Sequence, residues 1–221
     1  MKERPPYDVV LLLSGGLDST SVLCRYRKRG LRVLCVTFDY GQTLSVEVKY
    51  AEDNAKRYGA DFLLIMALMN WIAPSCALFN GNLPKDRTLE EIADGGTPDT
   101  YVPFRNGIML SYAAAIAEAK GITIIACGGN GLASGNYWDD TEEFRAAMEQ
   151  AIRNGTAPMD GLEYQVYFPN AKLTKADVVR QGVAAGMAVE FTWSCYANGP
   201  FPCGTCDSCV QRSAALEEAA Q

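Results

Sequence analysis

Histidine is absent from this chain of 221 residues. Catalytic schemes in which a histidine activates a serine or a cysteine nucleophile are therefore excluded. Any base or metal ligand must come from cysteine, aspartate, glutamate, lysine, tyrosine or water. The missing imidazole narrows the chemistry that the chain can perform before any motif is considered.

An excess of positive charge and long apolar runs are absent as well. The formal net charge is −6 at pH 7 and the isoelectric point is near 4.8, which argues against direct binding of nucleic acid over a broad surface. The chain has no run of about 18 apolar residues, the length needed to span a membrane. The N-terminal MKERPPYD has no apolar signal-peptide core. We therefore expect a cytoplasmic protein that acts on a small molecule.

What the chain contains is an alternation of apolar runs and amphipathic segments. Continuous valine, leucine and isoleucine runs are typical of buried parallel strands, and a 3.6-residue period is typical of helices. The βαβαβ rhythm predicts an α/β fold with a doubly wound, mostly parallel sheet. In chain order, we expect a strand at Val9–Leu13, a helix at Ser19–Arg29, a strand at Arg32–Phe38, a helix at Leu44–Tyr58, a strand at Phe62–Met66, a helix at Gly107–Ala119, a strand at Ile122–Cys127, a helix from Thr141 to Arg153, a strand at Tyr164–Phe168 and a helix from Thr174 to Ala185.

A glycine-rich turn, SGGLDST, follows the first strand and opens the first helix. Free backbone N–H groups at a helix N-terminus favour an anion, and Gly15 and Gly16 let a ligand approach the backbone closely. The turn is not a Walker A motif, because it lacks that motif's spacing and its lysine. We expect ATP to bind here, the alternative being an ordinary turn and helix cap. The residues of this expected nucleotide site are Ser14, Gly15, Gly16, Leu17, Asp18, Ser19 and Thr20.

Other polar residues lie where predicted strands end or helices begin. The segment DYGQ ends the second strand, at the edge where open parallel sheets bind ligands. Arg105, just before an apolar helix, could bind a phosphate or carboxylate, or could form a surface ion pair. Lys175 starts a helix against the preference of the helix dipole for anions, so it could neutralise a phosphate or point into solvent.

Two segments interrupt the α/β pattern. Residues 70–98 are rich in proline and glycine and indicate a surface insertion, with a short helix near Thr88–Ala93. Residues 128–140 (GGNGLASGNYWDD) form a second glycine-rich stretch after a strand. Tyr137 or Trp138 in this stretch could stack on a flat ring, and the alternative is a permissive connection.

Four of the eight cysteines cluster near the C-terminus with the spacing C-x7-C-x2-C-x2-C. Four thiolates at this spacing suit tetrahedral Zn²⁺, and a shell closed by four sulfurs makes the zinc structural rather than catalytic. An Fe–S cluster and unliganded or disulfide-bonded cysteines are the alternatives. The expected metal ligands are Cys195, Cys203, Cys206 and Cys209.

The SGGxDS turn is the signature of the PP-loop ATP pyrophosphatases, which this chain resembles. With FDYGQ, TYVPFRN, TWSCY and CGTCDSCVQR added, the chain resembles the QueC family of 7-cyano-7-deazaguanine synthases over nearly its whole length. The resemblance implies a PP-loop ATP-binding domain of the adenine nucleotide alpha hydrolase type at residues 1–190. It also implies a zinc-binding segment at residues 191–221 packed on that domain, and a homodimer.

The family's chemistry gives roles to the matching residues. Members of this family adenylate 7-carboxy-7-deazaguanine with Mg²⁺ and ATP, ammonia captures the adenylate as an amide, and a second adenylation dehydrates the amide to the nitrile. The resemblance thus implies catalytic roles for Asp18, Ser19, Arg105 and Lys175. It implies nucleotide binding also by Phe38, Tyr40, Gln42 and Asn106, and substrate binding by Tyr137, Trp138 and Asp139.

Two departures from the family pattern fall near the expected substrate and amine. The family's YGQRH reads YGQTL here, so Thr43 and Leu44 replace a basic pair. An acidic stretch before SGYPDCRPEF is replaced by residues 131–133, and a proline of that motif by Trp138. These changes keep open the function of QueC-like proteins in antiphage operons, where relatives join a deazaguanine to an amine of a protein, here one encoded nearby.

Two further classes of protein are compatible with parts of the sequence. A catalytically silent interaction module is expected to lose residues of the SGGxDS turn, and all of them are present. A PP-loop sulfur-transfer enzyme needs a catalytic cysteine near ATP and usually acts on tRNA. The acidic isoelectric point argues against it, whereas Cys127 at a strand end keeps it open.

Overall fold

A five-stranded parallel sheet forms the centre of the computed structural model, which describes residues 5–43, 46–129, 137–159, 161–197 and 199–221. The strands stand in the order β3-β2-β1-β4-β5, and every pairing is parallel. The predicted α/β fold is thereby confirmed. The strands are β1 (Val9–Leu12), β2 (Val33–Asp39), β3 (Asp61–Met66), β4 (Ile124–Cys127) and β5 (Gln165–Tyr167).

The central strand β1 is buried along its whole length. Val10 pairs with Leu34 of β2 on one side and with Ile125 of β4 on the other. Alternate residues of β1 belong to separate apolar clusters on the two faces of the sheet. A strand covered on both faces needs apolar residues at every position, which explains why its sequence is a continuous run rather than an alternating one.

Helices flank the sheet, and none in the described part of the chain is long and apolar enough to cross a membrane. Most begin and end within a few residues of the predicted positions. The short helix expected in the insertion is present as α4, whose N-cap Thr88 forms a capping box with Glu91. The helices are α1 (Leu17–Lys28), α2 (Val46–Arg57), α3 (Ala77–Asn80), α4 (Leu89–Asp94), α5 (Arg105–Lys120), α6 (Glu142–Gly155), α7 (Lys175–Ala184) and α8 (Asp207–Ala219).

Helix α5 begins two residues before the predicted start, at Arg105. The carboxylate of Asp139 accepts a hydrogen bond from the backbone N–H of Asn106 at 2.8 Å, and the Asp139 carbonyl accepts one from the Asn106 side chain at 2.9 Å. Phe104, at the boundary, has a φ of +54°. A residue far along the chain therefore caps this helix, which the local sequence pattern could not indicate.

Helix α8 is not predicted by the sequence patterns, because it starts among the clustered cysteines. It packs on α7, which in turn packs on α1. Val179 of α7 and Ala215 of α8 are buried in one apolar cluster with Leu17 and Cys24 of α1. The C-terminal segment thus shares a core with the start of the chain.

The insertion at residues 70–98 is anchored to the C-terminal segment. The N–H of Asp86 donates to the carbonyl of Thr205 at 2.9 Å, and Lys85 forms an antiparallel bridge with Cys206. The Arg87 guanidinium forms an ion pair with the carboxylate of Asp207, whose side chain is 10% exposed. These contacts hold the insertion in a fixed place beside α8, so it is not an independent surface loop.

The Arg87 ion pair provides a test of this anchoring. Arg87→Ala leaves the Asp207 carboxylate partly buried without its partner, so we expect the free energy of unfolding to fall by about 1–3 kcal/mol in chemical denaturation. Lys49→Ala is the matched control, because its ion pair with Asp53 is exposed and should contribute at most about 0.5 kcal/mol. Equal, small losses in both variants would show that the insertion is not anchored through Arg87.

Candidate active site

A cavity of about 340 Å³ opens at the carboxyl ends of the central strands. The chain continues from β1 to β2 on one side of the sheet and from β4 to β5 on the other. Ligands of open parallel sheets bind at such a switch point. The wall comes from the turn after β1, the ends of β2 and β4, the start of α5, the insertion and the C-terminal segment.

The turn after β1 has the geometry of an anion cradle. Gly16 precedes α1 without a side-chain cap, which leaves the first-turn N–H groups available to a ligand. The Ser19 hydroxyl accepts from the N–H of Ser14 at 3.1 Å and fixes the turn. Gly15 has a φ of +79°, and a Cβ there would lie 2.7 Å from the backbone nitrogen of Ala51. Only glycine lets the turn lie this close to α2.

Lys175 points towards this turn. Its Nζ lies 3.3 Å from Oδ2 of Asp18, so the alternative in which Lys175 faces solvent does not hold. The other carboxylate oxygen of Asp18, Oδ1, is buried and has no hydrogen-bond partner among the described residues. The predicted catalytic pair is thus brought together, with one oxygen left for a ligand.

Asn170 joins the two turns at the switch point, and no sequence pattern singles it out. It is completely buried. Its Nδ2 donates to the carbonyls of Asp18 and Gly128, at 3.1 Å in each case, and its Oδ1 accepts from the Arg25 guanidinium. The turns after β1 and β4 are therefore held in register by one amide.

Arg105 enters the cavity from the first turn of α5. Its Nη1 lies 3.4 Å from the Tyr40 hydroxyl. Burial acts to lower the pKa of Arg105, but Tyr40, Tyr137 and Asp139 raise it, and the net direction is upward. The guanidinium is a permanent cation in the cavity wall, which favours binding of a phosphate or carboxylate over a surface ion pair.

The residues predicted to bind substrate take different positions. Tyr137 lines the cavity, and its hydroxyl lies 2.7 Å from the Thr100 hydroxyl. Asp139 is buried, and its carboxylate accepts a hydrogen bond from the backbone N–H of Asn106 at the start of α5. Trp138 is 72% exposed and does not line the cavity. Residues 130–136 of the same stretch lie outside the described residues.

The remaining residues of the predicted nucleotide site divide into lining and supporting groups. Thr20 is fully buried and, like Gly15, supports the turn from behind without lining the cavity. Gln42 donates to Glu47 at 2.7 Å and accepts from the N–H of Tyr40 at 2.8 Å. The predicted residues that line the cavity are Ser14, Gly16, Leu17, Asp18, Ser19, Phe38, Tyr40, Gln42, Arg105, Asn106, Tyr137 and Lys175.

Glu47, in the first turn of α2, lines the cavity and is not predicted by the sequence. Burial raises the pKa of Glu47 to about 7, against the opposing influence of Arg105 and of the hydrogen bond from Gln42. An acidic residue in the first turn is common in helices of every kind. The sequence therefore carries no distinct signal for this carboxyl group.

Cys127 ends β4 and also lines the cavity. Burial, with a smaller contribution from Asp140, raises the pKa of its thiol to about 12. A thiol that stays protonated at neutral pH is a poor nucleophile. The buried environment of the Cys127 thiol therefore argues against a sulfur-transfer enzyme.

The four predicted metal ligands come together next to the cavity. Their Sγ atoms all lie within 4.8 Å of one another. The N–H groups of Ala197 and Cys203 both donate to Sγ of Cys195 at 3.3 Å, and such bonds stabilise metal-binding thiolates. The N–H of Trp193 donates to the carbonyl of Gly15 at 2.9 Å. The cysteine cluster is thereby tied to the anion cradle.

Known proteins resemble this chain over nearly its full length. Residues 8–220 match the family model described as queuosine biosynthesis protein QueC. The 7-cyano-7-deazaguanine synthase of Thermoplasma acidophilum is 41% identical over 95% of this chain and 87% of its own length. The synthase of Myxococcus xanthus is 38% identical over 95% and 93%, respectively.

Solved structures show the same fold at low identity. A predicted subunit of a tRNA methyltransferase from Methanocaldococcus jannaschii is 17% identical and superposes with a TM-score of 0.51. The match covers 80% of this chain and 76% of that one. The fold, the cavity at the switch point and the family match agree, and the chain belongs to the QueC family.

Proposed function

We propose that the protein is a 7-cyano-7-deazaguanine synthase. It activates the carboxylate of 7-carboxy-7-deazaguanine with ATP, ammonia displaces AMP, and a second ATP drives dehydration of the amide to the nitrile. The observation that carries the proposal is the presence of an anion cradle and the Arg105 cation in one cavity. The synthases of related sequence support the choice of substrate.

The turn after β1 is suited to the pyrophosphate that leaves when ATP is cleaved between its α and β phosphates. The N–H groups at the start of α1 donate to phosphate oxygens, and Lys175 neutralises part of their charge. Donors that are already oriented stabilise the charge that develops on the leaving group. Such a turn needs no lysine of its own, because Lys175 reaches it from α7.

Mg²⁺ fits beside this turn. Oδ1 of Asp18 is buried without a described partner, and a carboxylate oxygen of this kind suits a hard cation that is shared with phosphate oxygens. Asp18 would hold the ion, which when bound would withdraw charge from the phosphates and so assist departure of pyrophosphate.

The carboxylate of the substrate is held by Arg105. The guanidinium lies in the cavity wall near Tyr40, and the planar fork suits a carboxylate. The Tyr137 ring lines the same part of the cavity and offers a flat face to the deazaguanine ring. A carboxylate placed here lies on the same side of the sheet as the nucleotide, as attack on the α-phosphate requires.

The cysteine cluster binds a structural zinc ion in this proposal. Four soft sulfur ligands, three of them buried, suit tetrahedral Zn²⁺ and leave no open position for a reactant. The cluster stabilises the segment that carries Trp193, which bonds to Gly15. A zinc ion held by these cysteines would thus stabilise the segment that bonds to the anion cradle.

The proposed reaction can be tested by its products. With Mg²⁺, ATP, 7-carboxy-7-deazaguanine and ammonium, we expect AMP, pyrophosphate and free nitrile, measured by chromatography and mass spectrometry. Asp18→Asn should lower AMP formation by at least about 100-fold without unfolding the protein, because it removes the negative charge proposed to hold Mg²⁺ beside the phosphates. Asp53→Asn, on an exposed side chain, is the control and should retain activity.

Other products would contradict the proposal. ADP as the sole nucleotide product would exclude cleavage between the α and β phosphates. A mass increase on a protein encoded nearby, with little free nitrile, would favour conjugation to a protein amine instead. The conjugation alternative is suggested by departures from the family pattern at Thr43, Leu44 and residues 131–133. Thr43 does not line the cavity, and positions 44 and 131–133 lie outside the described residues.

We expect freshly purified protein to contain about one zinc ion per chain. Cys206→Ser should lose the metal and aggregate or unfold at lower denaturant, because structural zinc contributes several kcal/mol to folding. Cys24→Ser removes a buried thiol outside the cluster and should retain the metal. Elemental analysis that finds no zinc, or iron with absorption at visible wavelengths, would overturn the assignment.

We also propose that the protein forms a homodimer through the edge strand β3. Leu64, Met66 and Leu68 alternate along this strand and its continuation, with exposures of 40%, 62% and 58%. Exposed apolar rows on an edge strand favour association. Sedimentation should find a dimer that Met66→Glu converts to monomer, whereas Leu89→Glu, on α4, should not. A monomeric wild-type protein at micromolar concentration would contradict this proposal.

A further inference from the structure

The carboxyl group of Glu47 lies free on one side in the cavity wall. Its Oε1 accepts the hydrogen bond from Nε2 of Gln42 at 2.7 Å, and Gln42 is itself held by the N–H of Tyr40 at 2.8 Å. No described residue donates to Oε2 of Glu47. The carboxyl group is therefore oriented by a fixed amide and retains one oxygen for a ligand.

The position of Glu47 is set by the anion cradle. The Glu47 carbonyl lies 2.9 Å from the place where a Cβ of Gly15 would stand, so the first turn of α2 packs directly on the turn after β1. The charge of Arg105, on α5, lowers the pKa of the same carboxyl group, whereas the charge of Asp39, at the end of β2, raises it. Glu47 thus stands between the proposed phosphate site and the cation proposed to hold the substrate.

Use of ammonium as the source of the amine needs a base in the cavity. Ammonia in neutral solution is mostly ammonium, which carries no lone pair and cannot attack a carbonyl. A site that captures ammonium must bind a cation and then remove a proton. The chain has no histidine, and a lysine or arginine that is charged at neutral pH would repel ammonium, so a carboxylate facing the reacting groups suits both tasks.

We propose that Glu47 binds ammonium through Oε2 and removes its proton, so that ammonia attacks the carbonyl of the adenylate. This inference rests on the proposed synthase function. The carboxylate gains the proton and the nitrogen gains a lone pair. A C–N bond then forms, the C–O bond to AMP breaks, AMP leaves with the bonding electrons, and the nitrogen releases a further proton to water to give the neutral amide.

The environment of Glu47 supports a role as a base. Burial is the main cause that raises the pKa of this carboxyl group to about 7, with a smaller upward contribution from Asp39 and opposing contributions from Arg105 and the Gln42 amide. The group is ionised in mildly alkaline solution and yet far more basic than an exposed glutamate. Tyr40, also adjacent, has its own pKa raised by burial and by Glu47 and stays neutral.

Two nucleophiles distinguish a base from a structural residue. Hydroxylamine is already neutral near pH 7 and needs no base, whereas ammonium does. We expect Glu47→Gln to lower ammonia-dependent amide formation by about 100-fold and hydroxylamine-dependent hydroxamate formation by less than about tenfold, because only the first requires deprotonation. Glu47→Asp should restore part of the ammonia reaction. Glu52→Gln, on the exposed face of α2, is the control.

Failure of the base role of Glu47 and failure of the proposed synthase function give different experimental results. Absence of pyrophosphate exchange into ATP with wild-type enzyme and 7-carboxy-7-deazaguanine would remove the proposed function itself. If exchange occurs, equal losses with both nucleophiles would assign Glu47 to substrate binding or folding and overturn the base. Unchanged ammonia-dependent turnover in Glu47→Gln would overturn it as well.

The pH dependence of the wild-type enzyme distinguishes binding of ammonium from direct uptake of free ammonia. If ammonium is the bound form, kcat/KM calculated on total ammonium changes little between about pH 7.5 and about pH 8.5. If the enzyme takes up free ammonia directly, the same quantity rises about tenfold over this interval, in parallel with the ammonia concentration. The second result would overturn the inference.

Stability provides a readout that is independent of turnover. The pKa of Glu47 is raised from 4.5 to about 7 in the folded chain. Between these two pH values, the folded state therefore binds more protons than the unfolded state. The free energy of unfolding of the wild-type protein therefore falls as the pH rises through this interval. Glu47→Gln lacks this contribution and should gain stability relative to wild type from low to high pH. A constant difference would show that the carboxyl group is not perturbed.

Discussion

The hydrogen bond from the N–H of Trp193 to the carbonyl of Gly15 joins the two ends of the chain at the cavity. Gly15 belongs to the anion cradle, and Trp193 is buried in one cluster with the cysteines. The cradle is packed on α2 so closely that no side chain fits at Gly15. A turn held by backbone contacts on both sides presents its N–H groups in a fixed direction, as preorganised electrostatic stabilisation requires.

The cavity places charges of both signs along one path. Lys175 and Asp18 flank the cradle, and Arg105 and Glu47 line the same cavity, where Glu47 is held by Gln42. Burial strengthens the interactions of such groups with a ligand. In our proposal the phosphates bind at the cradle, the acyl group binds beside Arg105, and Glu47, which packs on the cradle and interacts with Arg105, holds the amine near both.

Local patterns of sequence predict much of this structure. Strand and helix periods, the SGGxDS turn and the cysteine spacing depend on neighbouring residues, so the sequence alone reveals them. It does not reveal Asn170 and Glu47, because their roles depend on contacts across the sheet and in the cavity. The cap of α5 by Asp139 and the docking of the insertion through Arg87 likewise arise only from tertiary contacts between distant segments.

The central claim is that nucleotide and substrate share one cavity on either side of the reacting phosphorus. The most direct test is a crystal structure with 7-carboxy-7-deazaguanine and an ATP analogue whose α–β bridge is a methylene group. The account predicts the β and γ phosphates on the cradle at Ser14 and Ser19, and the carboxylate beside Arg105 and within reach of the α-phosphate. A nucleotide bound away from the cradle, or a carboxylate pointing away from the α-phosphate, would contradict it.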